Sequence, residues 1–214
     1  VKNLLKIMFG LVILSLIGTL VLYPLLPPKV PSHWNFNWEI DGYSNKPFVF
    51  VMATLPLIIY LLLILVPKID PRRDSYQKHH KAYNAFIAVL MLMLIVVHWL
   101  IILTALNIPV NARLLFSLAM GSLLIVSGNY MGQIRQNYTF GIKTPWTLAD
   151  ETVWKKTHRK GGLAFIISGL VFILGGFVPN SYPLLIGLTF LMLAIIYLTI
   201  YSYLEFKKIK SKPE

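Results

Sequence analysis

The sequence has no cysteine, which removes disulfide frameworks, thiolate nucleophiles, iron–sulfur clusters and cysteine zinc sites together. Acidic residues are scarce as well. Eight Asp and Glu stand against 20 Lys and Arg, for a net charge of +12, and charged residues make up only 13% of the 214 positions. Disordered, collagenous and coiled-coil chains need other compositions. What is abundant is apolar: 57% of residues are hydrophobic and the mean hydropathy is +0.68. A single core of this size cannot enclose so much apolar surface, so long segments must face lipid. The composition therefore specifies a membrane protein, all-α once its long apolar runs are read as helices, and the +12 first raises the question of which side of a membrane carries it.

Six uncharged apolar runs are long enough to cross a bilayer as helices: Ile7 to Tyr23, Phe48 to Val66, Tyr83 to Leu106, Leu114 to Met131, Gly161 to Val178, and Tyr182 to Leu204. The first lacks a small-residue cleavage site and runs into Tyr23-Pro24, which predicts a retained anchor. Pro56 predicts a kink in the second run. Of the 20 basic residues, 17 fall in the segments that share a side with the two ends, and only Lys29, Lys46 and Arg113 fall on the other. The positive-inside rule then places both termini in the cytoplasm of a multi-pass, six-helix bundle in the cell membrane. Two three-helix halves are expected, residues 1–107 and 108–214. Short Pro179-Asn180-Ser181 predicts that the last two spans are antiparallel neighbours, and Gly169, Gly175, Gly176 and Gly128-x-x-x-Gly132 suggest close backbone packing. No internal repeat of broken helices points to a transporter.

Two loops carry polar information. In the external loop, His33, Asn35, Asn37 and Glu39 alternate with Trp34, Phe36, Trp38 and Ile40, the pattern of an extended strand. Asp41-Gly42, followed by Tyr43, marks a turn and a candidate short β-hairpin after the first span. This segment reads either as an interfacial anchor packed over the bundle or as a recognition surface for a peptide. His33, Glu39 and Asp41 match no established metal-ligand spacing, so no metal is assigned.

The cytoplasmic loop after the fourth span contains Arg135, Asn137, Lys143, Thr144, Pro145, Trp146 and Thr147. Thr147, three residues before Asp150, reads as the N-cap of an interfacial helix. That helix would carry Glu151 at its start, Trp154, His158 and a basic end including Arg159 and Lys160, and Gly161-Gly162 would terminate it. Membrane anchoring near anionic lipid and docking of a cytosolic partner are both compatible with this pattern.

His98 is the ionisable residue set well inside a span, and Asn129 is a second intramembrane polar residue, near the end of the fourth. A neutral His98 hydrogen-bonded across the bundle is weighed against a proton-linked role. His79 and His80 lie in the basic Arg72 to Lys81 segment and read as solvated polar residues. The spans hold no Asp, Glu, Lys or Cys in their interiors, so no catalytic constellation or cofactor is assigned. A transporter exporting a peptide or small solute is the alternative reading, and a membrane-embedded hydrolase using His33 or His158 is the weaker one.

At these loops the sequence resembles the SdpI family of bacterial membrane immunity proteins. Val30-Pro31-Ser32-His33-Trp34-Asn35 is similar to the family's N-terminal domain of unknown function. Gly128-Asn129, Gly132, Asn137, Gly141, Thr144-Pro145-Trp146-Thr147, Trp154, Thr157, His158 and Gly161-Gly162 are similar to its C-terminal signature. Two positions depart from the pattern: Trp38 stands where glycine is expected, and Lys143 where arginine is usual. The resemblance implies resistance to a secreted, membrane-active peptide toxin, signalled by recruiting a cytosolic winged-helix repressor to the membrane; the basic surplus, read as a topology signal, gives no reason to expect direct nucleic-acid binding. It would place toxin contacts on His33, Trp34, Asn35, Asn37, Trp38, Glu39, Asp41 and Tyr43. Repressor docking would fall on Arg135, Asn137, Lys143, Thr144, Pro145, Trp146, Trp154, His158 and Arg159.

Overall fold

The computed structural model describes residues 2–178 and 182–211. Helix α1 (Lys2–Leu22) ends in a 3-10 turn, and an antiparallel hairpin of β1 (Lys29–Trp34) and β2 (Ile40–Asn45) follows. Then come α2 (Phe48–Ile69), α3 (Asp74–Lys78), α4 (His80–Ala105), α5 (Ala112–Met131), α6 (Pro145–Ala149), α7 (Glu151–Gly176) and α8 (Tyr182–Lys210). Six of these, α1, α2, α4, α5, α7 and α8, are long and apolar enough to cross a membrane. Their outward surfaces are apolar: Leu14, Leu20, Val21, Ile58, Leu174 and Leu193 are all exposed. Helices that are apolar on every face require lipid as their solvent, so this is a multi-pass membrane protein. The Pro179–Ser181 connection lies outside the described residues.

Helices α1, α2 and α4 pack together, as do α5, α7 and α8, and the α4–α5 contact joins the two groups. In lipid no hydrophobic force drives helices together, so close backbone approach must supply the contact. Antiparallel α5 and α7 meet through two glycine pairs. A Cβ on Gly128 would lie 2.6 Å from the Gly162 carbonyl oxygen, and one on Gly169 would lie 2.6 Å from that of Gly121. The partners on each helix are seven residues apart, two turns along one face. Gly132 has nothing within 4 Å of its ideal Cβ, so Gly128 works with Gly162 rather than in a GxxxG pair with Gly132.

Three local expectations are corrected. Asp41-Gly42 is not the hairpin turn. It lies inside β2, and the chain reverses over residues 35–39, because the Asn35 carboxamide oxygen accepts from the Asn37 and Glu39 N–H groups at 2.8 and 3.0 Å. The single strand inferred from alternation is thereby folded in two. Next, Thr147 is not an N-cap. Thr144 caps α6 in a reciprocal capping box with Thr147, and Asp150 caps α7 by accepting from Thr152 and Val153 N–H. Finally, Gly161-Gly162 does not end a helix. The basic segment expected as a separate interfacial helix forms the first turns of α7, which continues through both glycines: Gly162 lies against the Gly128 backbone of α5, and Gly161 leaves room for the Ile142 and Met131 side chains. Helix α2 includes Pro56 and Pro67 within its length.

Candidate functional site

At the hairpin end, the polar residues are organised by the turn. Asn35 donates from Nδ2 to Glu39 Oε2 at 3.0 Å, and His33 Nδ1 meets Asp41 Oδ1 at 2.5 Å across the strands. Asn37, Glu39 and Tyr43 are exposed, whereas Trp34 packs into a cluster with Leu26, Val30, Val49, Ile101 and Ile102 that seats the hairpin on α2 and α4. Trp38 has φ of +65°, a left-handed conformation that a bulky side chain adopts only under constraint. Its ring rests on Phe116 of α5 with centroids 5.4 Å apart, and its buried Nε1–H has no acceptor among the described residues. The turn thus bridges the two helix groups over a mostly apolar cavity of about 340 Å³, lined by Trp34, Trp38, Met52, Phe116, Phe172 and Leu188 among others. Its wall is built from both groups.

The opposite, basic end is locked by a polar node that sequence reading did not find. Asp70, at the end of α2, is 3% exposed and accepts four hydrogen bonds: Arg72 N–H to Oδ1 at 2.8 Å, and the Tyr76 hydroxyl, Thr139 hydroxyl and Tyr138 N–H to Oδ2 at 3.0, 3.0 and 3.1 Å. Fully buried Asn137 stands beside it. Its Oδ1 accepts from Thr139 and Phe140 N–H at 3.0 and 2.6 Å, and its Nδ2 donates to the Arg135 and Phe140 carbonyls. The Tyr76 and Thr139 hydroxyls also contact each other. Burial pulls the Asp70 carboxyl upward, but the four donors outweigh it and hold it below the usual carboxylate range. Burial and the adjacent Asp70 push Tyr76 up to about 12.

His79 corrects a further expectation. It is 2% exposed rather than solvated, its ring lies 5.0 Å from that of Tyr76, and its Nδ1 accepts the Arg135 N–H at 3.2 Å. Burial and the Arg135 charge lower it to about 4, against the pull of Asp70. The 70–80 segment is therefore fastened to residues 135–140. The only local signal was Asp70 itself, an acid set among basic residues at the close of a span.

The remaining signature residues divide by burial. Trp154 is fully buried and donates its indole N–H to the Ile134 carbonyl at 2.8 Å. His158 stacks on it at 4.0 Å, directs Nδ1 to the Trp154 carbonyl at 2.9 Å and accepts the Ile142 N–H on Nε2 at 3.0 Å. Gly141 is required there: its φ is +115°, and a Cβ would lie 2.4 Å from His158 Nε2. Thr144 joins Ser202 of α8 at 3.0 Å, and Trp146 faces Tyr203 at 5.1 Å. Asn137, Thr144, Trp154 and His158 are thus internal supports, whereas Arg135, Lys143, Pro145 and Arg159 are exposed and Trp146 is half-buried. Asn129 is exposed near the end of α5. His98 is fully buried and its Nε2 meets the Thr19 hydroxyl at 2.8 Å. That hydroxyl donates to the Ser15 carbonyl at 2.9 Å, so Nε2 carries the shared proton and ties α4 to α1. Among the described residues, no three His, Asp or Glu side chains converge as metal donors.

The two ends correspond to two known sequence families. Residues 10–60, spanning the hairpin, match a domain of unknown function, DUF1648, and residues 133–202 match the SdpI/YfhL protein family. Across 208 residues, 97% of either chain, the protein is 30% identical to the immunity protein SdpI of Bacillus subtilis (strain 168). The chain belongs to the SdpI family. No solved structure matches it. Neither family match includes Asp70, Tyr76 or His79, which hold this member's SdpI-family segment in place from the intervening 61–132 stretch.

Proposed function

We propose that this SdpI-family protein is a membrane immunity protein that protects its cell from a secreted, membrane-active peptide toxin. The observation that carries the reading is its relation to an immunity protein along almost the whole length of both chains. The hairpin end faces outward and the basic end faces the cytoplasm, because 17 of 20 Lys and Arg belong to the basic side. The toxin engages His33, Trp34, Asn35, Asn37, Trp38, Glu39, Asp41 and Tyr43, with an apolar side chain entering the cavity beneath the turn. That cavity is shared by two helix groups, so filling it favours one spacing of them over another and carries occupancy across the bundle. The inner face presents Arg135, Lys143, Pro145, Trp146 and Arg159 to a cytosolic winged-helix repressor, on a loop shaped from within by Asn137, Thr144, Trp154 and His158.

The test is survival of toxin-exposed cells expressing Trp34→Ala, Asn35→Ala or Trp38→Ala, paired with capture of a repressor by Lys143→Ala, Trp146→Ala and Arg159→Ala. Outer substitutions should remove resistance at normal protein abundance, and inner ones should remove capture alone. Resistance that survives every outer substitution would displace the hairpin as receptor. Cells with no sensitivity phenotype would displace the immunity function.

A further inference from the structure

A second cavity lies at the other end of the molecule, independent of the toxin reading. It measures about 460 Å³, and its lining includes Leu63 of α2, Phe86 and Leu90 of α4, Ser127 of α5 and Phe165 of α7, all within candidate membrane spans. Each of these five residues is partly exposed and belongs to a membrane-length helix, which sets the cavity's apolar wall at a depth where the surrounding medium is hydrocarbon. Five consecutive residues, Thr139 to Lys143, form a further part of the wall. Gly141 and the His158–Ile142 hydrogen bond give this strap its shape, so the opening is held by fixed backbone.

One charge marks the rim. Lys143 is exposed, its Nζ donates to the Thr139 carbonyl at 3.0 Å, and it has no carboxylate partner among the described residues. Two of its three ammonium protons are therefore free for an anion. An apolar slot open to lipid with a free ammonium at the aqueous edge matches the two parts of one molecule. We propose that this cavity holds one acyl tail of an anionic phospholipid whose phosphate pairs with Lys143. An extended peptide would bring unpaired backbone groups to an entrance at hydrocarbon depth, where they are disfavoured. A bound tail would brace residues 139–143 from below, which makes the SdpI-family loop sensitive to the lipid around it.

The test uses the full chain in nanodiscs of phosphatidylcholine with a trace of phosphatidylglycerol bearing a photoreactive group in its tail, followed by mapping of adducts. Adducts should concentrate on Phe86, Leu90, Ser127 and residues 139–143. The same tail on phosphatidylcholine should label these positions about fivefold less, and Lys143→Gln should abolish that headgroup preference. Ser127→Phe, which fills the slot, should remove the adducts there while labelling of lipid-facing Met192, Leu193 and Ile196 persists. Leu90→Trp provides a second filling variant if Ser127→Phe does not elute as folded protein. Equal labelling by both headgroups, adducts that survive filling, or adducts no denser than on α8 would each overturn the proposal.

Discussion

The contact between His79 and Arg135 should make the basic end sensitive to pH. His79 Nδ1 accepts a backbone N–H, so the loops close only on the neutral ring with its proton on Nε2. Protonation would place N–H against N–H. Because its closed-state pKa is lowered from 6.5 to about 4, the opened form takes up a proton first as pH falls. The contribution of His79 to closure is therefore complete above pH 6.5 and is lost progressively toward pH 4. Between pH 7.5 and pH 5 the loss is about 2 kcal/mol, roughly a 30-fold rise in the opened population. The Asp70 carboxyl titrates below this interval and adds little to it. Amide hydrogen exchange of residues 134–140, corrected for intrinsic rates, reads that population directly. His79→Gln retains an acceptor oxygen but cannot titrate, so its rise in exchange between pH 7.5 and pH 5 should be about 30-fold smaller than the parent's. Buried His98 and His158 are present in both proteins and cancel in the comparison. An identical pH slope in His79→Gln and the parent would refute the assignment to this side chain.

Asp70→Asn removes the charged acceptor serving four donors and should cost about 2–3 kcal/mol, read as a lowered melting temperature and faster exchange over residues 136–140; unchanged protection would mean that the node does not fasten the loops. Gly162→Val should cost roughly 1–3 kcal/mol by forcing α7 from α5, whereas Gly132→Ala, with open space at its Cβ, should stay within about 0.5 kcal/mol. Equal thermal shifts in the two would argue against glycine-mediated packing. Trp38→Gly relieves a left-handed conformation costing roughly 1–2 kcal/mol but loses a ring contact worth about 1 kcal/mol, so stability should change little while toxin protection falls. Full protection would remove Trp38 from the receptor.

The six spans were legible in the sequence because bilayer thickness sets a length that uncharged runs either meet or do not. The family was legible because its motifs are contiguous. Register was less so: alternation from His33 to Ile40 suits one long strand as well as a folded one, and only the bonds from the Asn35 side chain to Asn37 and Glu39 decide where it reverses. Gly161-Gly162 carried the same ambiguity, since glycine both ends helices and lets them touch. Which applies depends on Gly128, in another helix.

By itself, then, the sequence determined the solvent, the number of crossings and the distribution of charge, all of which follow from composition summed over short windows. Tertiary structure decided which polar groups are internal. Asp70 and Tyr76 find Thr139 and Asn137 at separations of 69 and 61 residues, and His79 finds Arg135 at 56. Such pairs leave no local pattern, because each side chain's hydrogen-bonding need is met by a segment that comes near only after the helices between them have packed.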